Sequence, residues 1–444
     1  MAEETTRSRP RRKILLIAIA VLIFIISVAA GLYGLSSSSR LNQQLADLRS
    51  RGLPTTGSEL NAYYAVPSDV DDSTEQWATA INAIRIANIG SRVKSIPIVG
   101  EGPTPVPSLG QDWAELEASR SFLKEMDHEV QRIMLAADAG GMARYPIDFT
   151  AGYNTVLLAQ QETRTIARLM SLSAHVHAHD GQNPQTLKDV SAIFTLSESL
   201  RGDPVVLSQL LRIANHAIGF KLVADMLPHC NWSDTELKNL QITIGRANFR
   251  SEMRNAFHGE LALCLDAIDR FPYPQSMFSS ANKSKAIELF TESTEGLETS
   301  WTEAIKRHQK VDAELNSMSA NTVSRLMHIG WYQNLTALHQ AINSGIRAEA
   351  RQNCAIAMIA AYRFRLQHGK LPTSLAELRD LIPDEGPSKS TCLIDPFDGQ
   401  PLRFTANSDS VIIYSIGENK VDDGGDVDNE FPQDGDFGYS ISRR

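Results

Sequence analysis

The stretch Asp203–Ile218, DPVVLSQLLRIANHAI, carries the pattern that decides the fold of most of this chain. Asp203 and Pro204 are typical of a helix start, because aspartate caps the first amide groups and proline fits the first helical position. The apolar residues that follow fall at the spacing of one helix face. They are Leu207, Leu210, Leu211, Ala214 and Ile218. The sequence therefore predicts a helix whose apolar stripe is buried.

The composition is that of a folded, acidic protein. The chain has 444 residues, 42% of them hydrophobic and 21% charged, with a formal net charge of −9. This length corresponds to about two or three domains with a substantial core. Nucleic-acid binding needs clustered Lys and Arg, and no long basic run follows the first 13 residues. We therefore expect no nucleic-acid partner.

The N-terminus joins a basic flank to an uncharged apolar stretch. Residues 1–13 carry a net charge of +3, and the 22 residues Ile14–Leu35 contain no charged side chain. As a helix this stretch would span about 33 Å, close to the roughly 30 Å hydrocarbon core of a membrane. Because basic flanks stay in the cytoplasm, the sequence predicts one transmembrane helix with the chain from about residue 40 outside. The alternative is a signal peptide cleaved near Val28–Ala30.

Helical patterns continue from residue 40 to about residue 350. Ser73–Gln76 and Ser233–Glu236 match the capping box that precedes a helix. The segment 95–110 is rich in proline and glycine and is typical of a linker. We therefore expect a juxtamembrane helical segment over 40–94, the linker, and an α-helical bundle or array over 111–350. A second apolar stripe within it comprises Ile166, Leu169, Met170 and Val176.

One histidine-rich segment is a candidate metal site. On a helix, His175 and His179 lie one turn apart, which is the spacing of two zinc ligands, and Asp180 offers a third ligand. The alternative is that these histidines favour the end of a helix for electrostatic reasons. No P-loop, GxGxxG, GxSxG or HExxH motif occurs. We therefore do not expect an enzyme, and the alternative function is a membrane-tethered, metal-dependent hydrolase that uses residues 175–180.

The four cysteines are widely spaced and form no CxxC pair. Outside the cytoplasm an even number permits up to two disulfides, and the sequence cannot rank their pairings. Cys264 lies within the apolar run LALCL, which favours a buried thiol.

The last ninety residues have a different pattern. An alanine-rich helix over Ala355–Leu366 is followed by a short second helix that starts with the cap pair Ser374 and Glu377. Two short strands are predicted at Leu402–Thr405 and Val411–Ile416. Residues 418–436 then hold eight acids and one lysine, a net charge of −7. The sequence predicts a small α+β module over 351–444 that ends in an acidic loop.

The order of motifs in this module resembles the major pseudopilin of type II secretion systems. The motifs are HGKLPT at 368–373, DPFDGQPLRF at 395–404 and YSIGEN at 414–419, followed by the Asp-rich end. The resemblance implies a small antiparallel sheet and a calcium-binding loop near the C-terminus. It places the calcium ligands on Asn419, Asp426 and Asp428, or on Asp434 and Asp436 if the loop carries an insertion.

The chemistry of the loop also favours calcium, which prefers carboxylate and carbonyl oxygens, with glycines that let the chain fold around the ion. The alternative is a disordered acidic tail. The chain lacks the prepilin-type start of a true pseudopilin, so we regard the tail as a module joined to a different protein. The whole chain, including Arg51–Thr55 and Ala143–Pro146, also resembles uncharacterised membrane-anchored proteins of planctomycete-type bacteria.

Together these features predict a mainly α protein anchored in the bacterial inner membrane by Ile14–Leu35. Its N-terminus would be cytoplasmic and its C-terminal part periplasmic. The expected role is structural, through protein contacts in envelope organisation or secretion.

Overall fold

The structure is a computed structural model that describes residues 36–89, 93, 96–100, 106–272, 275–320, 333–385, 391–407, 409–425, 427 and 435–442. Its fold is mainly α-helical, as predicted, with one small sheet. The helices are α1 36–50, α2 Gly57–Tyr63, α3 Thr74–Ala87, α4 Leu116–Glu125, α5 Asp127–Ala139, α6 Leu158–His179, α7 Asn183–Ser199, α8 Val206–Met226, α9 Asp234–Gly245, α10 Phe249–Asp269, α11 Ser279–Thr299, α12 Trp301–Ala320 and α13 Gln333–His368. Short 3₁₀ helices cover Phe149–Asn154, Gln275–Phe278 and Leu375–Leu381.

The long helix α13 organises the packing. It lies against α8, α9, α10 and α12 and also against the C-terminal sheet. One apolar core runs without interruption from Leu41 in α1 to Ile441 in the last strand. The predicted boundary at residue 351 falls inside α13, so this helix carries both the helical body and the C-terminal module.

The prediction for Asp203–Ile218 is right about the helix and wrong about its buried face. α8 begins at Val206, and Asp203 does not cap it, because its carboxylate turns into the core and accepts a hydrogen bond from Gln160 Nε2 at 3.2 Å. Leu207 is 48% exposed. The rest of the predicted stripe is only partly buried. The first half of α8 buries polar side chains instead, namely Gln209, Arg212, Asn215 and His216, whereas its second half buries apolar ones such as Phe220 and Val223.

The polar face of α8 is buried because its partners are supplied by neighbouring helices. Arg212 Nη2 donates to Glu198 Oε1 of α7 at 2.6 Å, and His216 Nε2 lies 3.3 Å from the same oxygen. Asn215 Nδ2 donates to Thr163 Oγ1 of α6 at 3.0 Å. Burial by itself would raise the pKa of Glu198, but the adjacent Arg212 charge lowers it to about 2. By contrast, the second predicted stripe is confirmed as buried core. Its members are Ile166, Leu169, Met170 and Val176.

The two predicted capping boxes have different outcomes. Ser233 and Glu236 form the box at the start of α9 as predicted. The prediction for Ser73 is wrong: this residue precedes α3, but its hydroxyl donates to the Met142 carbonyl at 3.0 Å and does not cap the helix. Ser374 likewise makes no side-chain cap, and Glu377 accepts from the Thr373 amide at 2.6 Å.

The C-terminal module contains a three-stranded antiparallel sheet. Its strands are β1 Arg403–Ala406, β2 Ser410–Ser415 and β3 Phe437–Ser442, in the order β1-β2-β3. β1 and β2 lie within one residue of the predicted strands, whereas β3 was not predicted. The motif that begins at Asp395 is held to the end of β2, because the buried Asp395 carboxylate accepts from the Ile416 amide at 2.9 Å and from Ser415 Oγ at 3.0 Å.

The predicted membrane span Ile14–Leu35 and its basic flank lie outside the described residues. Among the described helices, none combines the length and the apolar character that a membrane crossing requires. The cysteines, all of which are described, are buried thiols and not disulfide halves.

Candidate functional site

The acidic loop between β2 and β3 is held against the helical body. Glu418 forms an ion pair with Arg347 of α13 and accepts from Asn343 Nδ2 of the same helix at 3.0 Å. Gly424 and Gly425 have φ values of 87° and 75°, so the loop needs glycine at both positions. The loop thus has a defined start and a tight turn before it returns to β3.

A buried carboxylate lies under this turn. Asp436 is 2% exposed, and its Oδ2 accepts from the Gly425 amide at 2.8 Å. The Asp423 backbone also favours the charged carboxylate, although Oδ1 has no partner at hydrogen-bond geometry. Burial raises the pKa of Asp436, and the negative charges of Asp422 and Asp423 raise it further. Tyr414 donates its hydroxyl to Asp422 Oδ1 at 2.9 Å. Carboxylates are the donors that Ca²⁺ prefers. Within the described residues, however, Asp422, Asp423 and Asp436 do not form a group whose ligand atoms lie within 4.8 Å of one another.

Of the predicted calcium ligands, only Asn419 and Asp436 lie within the described residues, and only Asp436 lies at the buried carboxylate site. Asp426, Asp428 and Asp434 lie outside the described residues. Asn419 is engaged in its own turn: its Oδ1 accepts from the Val421 amide at 2.9 Å, and its Nδ2 donates to Asp423 Oδ2 at 3.0 Å. Asp436 lies at the site as described above. Asp422 and Asp423, which the sequence analysis did not single out, are the described neighbours of Asp436, and only their position in the Asp-Asp-Gly-Gly run could have indicated them.

The histidine-rich segment ends α6, and its predicted ligands have separate partners. The pKa of His175 is lowered to about 4, mainly by burial and to a smaller extent by the nearby His179. His179 Nδ1 lies 2.9 Å from the His175 carbonyl, and its ring packs against Trp113 with centroids 5.0 Å apart and planes tilted by 53°. Asp180 forms an ion pair with Arg120. Within the described residues, His175, His179 and Asp180 do not form a group whose ligand atoms lie within 4.8 Å of one another.

The histidine between them, His177, lines a cleft of about 620 Å³ between α4, α5, α6 and α7. Its Nδ1 lies 2.6 Å from Asp189 Oδ2, and Ser173 Oγ donates to that same oxygen at 2.8 Å. In a nucleophilic triad the serine and the aspartate contact opposite nitrogens of the imidazole. Here both lie on the Nδ1 side, so Ser173 helps to orient His177 and is not placed as a nucleophile.

A third histidine group joins α12 to α13, and the sequence analysis missed it. His308 Nε2 lies 3.5 Å from Asp312 Oδ1, and His339 Nδ1 lies 3.3 Å from Asp312 Oδ2. Within the described residues, this is the one set of three or more His, Cys, Asp or Glu side chains whose ligand atoms lie within 4.8 Å of one another. The one-turn spacing of His308 and Asp312 was visible in the sequence. The approach of His339 depends on helix packing.

No family model matches the chain, and no match was found to a curated protein or to a solved structure. The function must therefore be argued from the sites themselves.

Proposed function

We propose that this chain is a single-pass protein of the bacterial inner membrane whose periplasmic part acts through protein contacts in envelope organisation or secretion. In this proposal Ile14–Leu35 is the anchor, and the C-terminal module is a pseudopilin-like unit stabilised by calcium. The basic flank over residues 1–13 supports the orientation, because positive charge before a transmembrane helix stays in the cytoplasm.

The observation that carries the calcium proposal is the buried Asp436. Its Oδ1 is unpaired and its neighbours Asp422 and Asp423 are also acidic. Without a cation, an ionised Asp436 is destabilised by burial and by like charge. A bound Ca²⁺ would satisfy the unpaired oxygen and remove the repulsion, with ligands completed by further loop carboxylates and carbonyls.

The contacts of the acidic loop support a mechanical role for the ion. Glu418 joins the loop to Arg347 and Asn343 on α13, the helix that continues into the body. An ion that orders the loop would therefore hold the β2–β3 connection and this contact together. A rigid cap fixed to a long helix is suited to presenting a defined surface to another protein.

The test is thermal unfolding of the purified full chain in mild detergent. At 100 times its dissociation constant, a ligand that binds only the folded state stabilises it by about 2.7 kcal/mol. For a protein of this size that predicts a rise in Tm of several degrees with Ca²⁺, and a smaller one with Mg²⁺, which demands stricter geometry.

Asp436→Asn provides the decisive variant, because it keeps the shape and removes the buried charge. We expect its Tm without calcium to equal or exceed that of the wild type, and its response to calcium to be lost. Asp69→Asn, a change at an exposed loop aspartate, is the matched control. A calcium response that survives in Asp436→Asn would refute the site.

The orientation has its own test. In intact cells with a permeable outer membrane, added protease should cleave the chain after residue 40 and leave residues 1–13 protected. Protection of the whole chain would refute the periplasmic location.

A further inference from the structure

The group formed by His308, Asp312 and His339 contains a nitrogen with an unusual environment. His308 is 0% exposed, and its Nε2 has no hydrogen-bond partner. Asp312 Oδ1 lies 3.5 Å away but makes no hydrogen bond to it. A buried polar atom without a partner is costly, so either a proton or a ligand must complete this site.

The hydrogen bonds of Ser293 determine which ring nitrogen carries the proton. Ser293 Oγ donates to the Leu289 carbonyl at 3.2 Å and lies 3.1 Å from His308 Nδ1. A hydroxyl has only one hydrogen, so when Ser293 donates to the Leu289 carbonyl, Nδ1 is the donor to Ser293. In that tautomer Nε2 presents a lone pair to the Asp312 carboxylate. A proton or a metal ion between these two acceptors would stabilise the arrangement.

The separations in the group are near those of a metal coordination sphere. Ligands about 2.0–2.1 Å from a tetrahedral ion lie roughly 3.3 Å from one another. His308 Nε2 lies 3.5 Å from Asp312 Oδ1, and His339 Nδ1 lies 3.3 Å from the other carboxylate oxygen, Oδ2. One ligand atom from each of the three side chains lies within 4.8 Å of the other two.

We propose that His308, Asp312 and His339 bind one divalent transition-metal ion, with Zn²⁺ as the simplest occupant. Two imidazoles and one carboxylate suit zinc and its first-row neighbours, whereas calcium and magnesium prefer oxygen ligands. Ser293 then acts as the outer partner that fixes the tautomer of His308. The side chains of Asp312 and His339 are 32% and 38% exposed, so the ion can enter from solvent and water can take an open position.

The first experiment measures zinc binding to the purified full chain after removal of metals with a chelator. Zinc is titrated against a chromogenic competitor, and Co²⁺ is used as a spectroscopic substitute. We expect one Zn²⁺ per chain and visible d–d absorption of bound Co²⁺. Less than one equivalent of zinc at saturation, or no d–d absorption, would overturn the proposal.

The variants locate the ion. His339→Ala and Asp312→Asn affect side chains that are partly exposed, and each should weaken zinc binding at least tenfold. Ser293→Ala should weaken it by about 10- to 100-fold through the tautomer alone. His128→Ala, at an imidazole that is 67% exposed on α5, is the matched control and should leave binding unchanged.

Circular dichroism checks that each variant folds. If His339→Ala unfolds, Asp312→Asn decides, because it keeps the shape of the side chain. Zinc affinity that is unchanged in the folded variants would overturn the proposal. Loss of binding in His179→Ala, with His339→Ala unaffected, would also overturn it and assign the ion to the end of α6.

Discussion

The buried carboxylate of Asp203 gives the sharpest stability prediction. Asp203 is fully buried, and its Oδ2 accepts from Gln160 Nε2 at 3.2 Å. The hydroxyls of Tyr64 and Ser208 also favour its charged form. Burial raises the pKa of Asp203 from 3.8 to about 6. Asp203→Asn keeps the shape and an acceptor for Gln160, and it removes the ionisation. We expect the variant to be more stable than the wild type above pH 6.

The magnitude follows from proton linkage. A carboxyl group whose pKa is higher in the folded than in the unfolded state stabilises the folded state when it is protonated. This stabilisation is fully present below the unfolded pKa of 3.8 and is lost as the pH rises through the folded pKa of about 6. The shift of about two pKa units corresponds to about 3 kcal/mol, since one unit is 1.36 kcal/mol. The wild type should therefore lose roughly 2–3 kcal/mol relative to Asp203→Asn between pH 4 and pH 8.

Urea unfolding followed by circular dichroism, with both proteins measured at pH 4, 6 and 8, gives the difference directly. Most of the change should occur between pH 4 and pH 6. Asp69→Asn, at an exposed aspartate, should follow the wild type at every pH. If the stabilities of Asp203→Asn and the wild type change in parallel with pH, the inferred burial of an ionisable Asp203 is wrong.

Further predictions concern the contacts of the helical body and the acidic loop. Arg212→Met removes the buried cation beside Glu198 and should lower the free energy of unfolding by about 3–5 kcal/mol, whereas adding Glu198→Met should restore most of it. Urea midpoints of the wild type and the two variants check this, and a double variant no more stable than the single one would contradict it. Gly259→Ala would place a Cβ 1.8 Å from the Pro204 carbonyl oxygen and should cost about 1–3 kcal/mol in thermal unfolding, despite a helix-propensity gain near 1 kcal/mol. Glu418→Gln removes a partly exposed ion pair and should change the free energy of unfolding by less than about 1 kcal/mol.

The sequence was sufficient to predict helices but not the face that each helix buries. Periodicity located this helix, yet the predicted apolar stripe is not its buried face, and the first half of α8 buries polar side chains. The reason is that Arg212 meets Glu198 from α7, and a local pattern contains no information about that partner. Where the predicted apolar positions themselves face the core, as at Ile166 in α6, periodicity gave the correct answer.

For the candidate sites too, features that are local in sequence could be predicted, and contacts between distant segments could not. The acidic loop could be predicted because its charge is local in sequence, and Asp436 does lie beneath its turn. The contact of Asp436 with the charges of Asp422 and Asp423 depends on the return of the chain into β3, a strand that the pattern did not indicate. The group around His308 was missed for the same reason, since His339 belongs to another helix.

Two buried histidines in this protein illustrate what distinguishes a polar core from a ligand site. His216 also has an unpaired nitrogen, but its Nε2 lies 3.3 Å from Glu198 Oε1, and Arg212 already supplies the cation for that carboxylate. The negative charge of Glu198 is thus compensated by Arg212, a residue of the protein itself. At His308 the Nε2 atom has no hydrogen-bond partner, and the partners of Asp312 are two imidazoles that carry a charge only when protonated. The side chain of Asp312 is also 32% exposed. Stripping bound metal should therefore lower the stability around α12 and α13 and leave the region of Arg212 unchanged. Hydrogen exchange of the two regions, with and without zinc, tests this difference, and equal protection of both on adding zinc would contradict it.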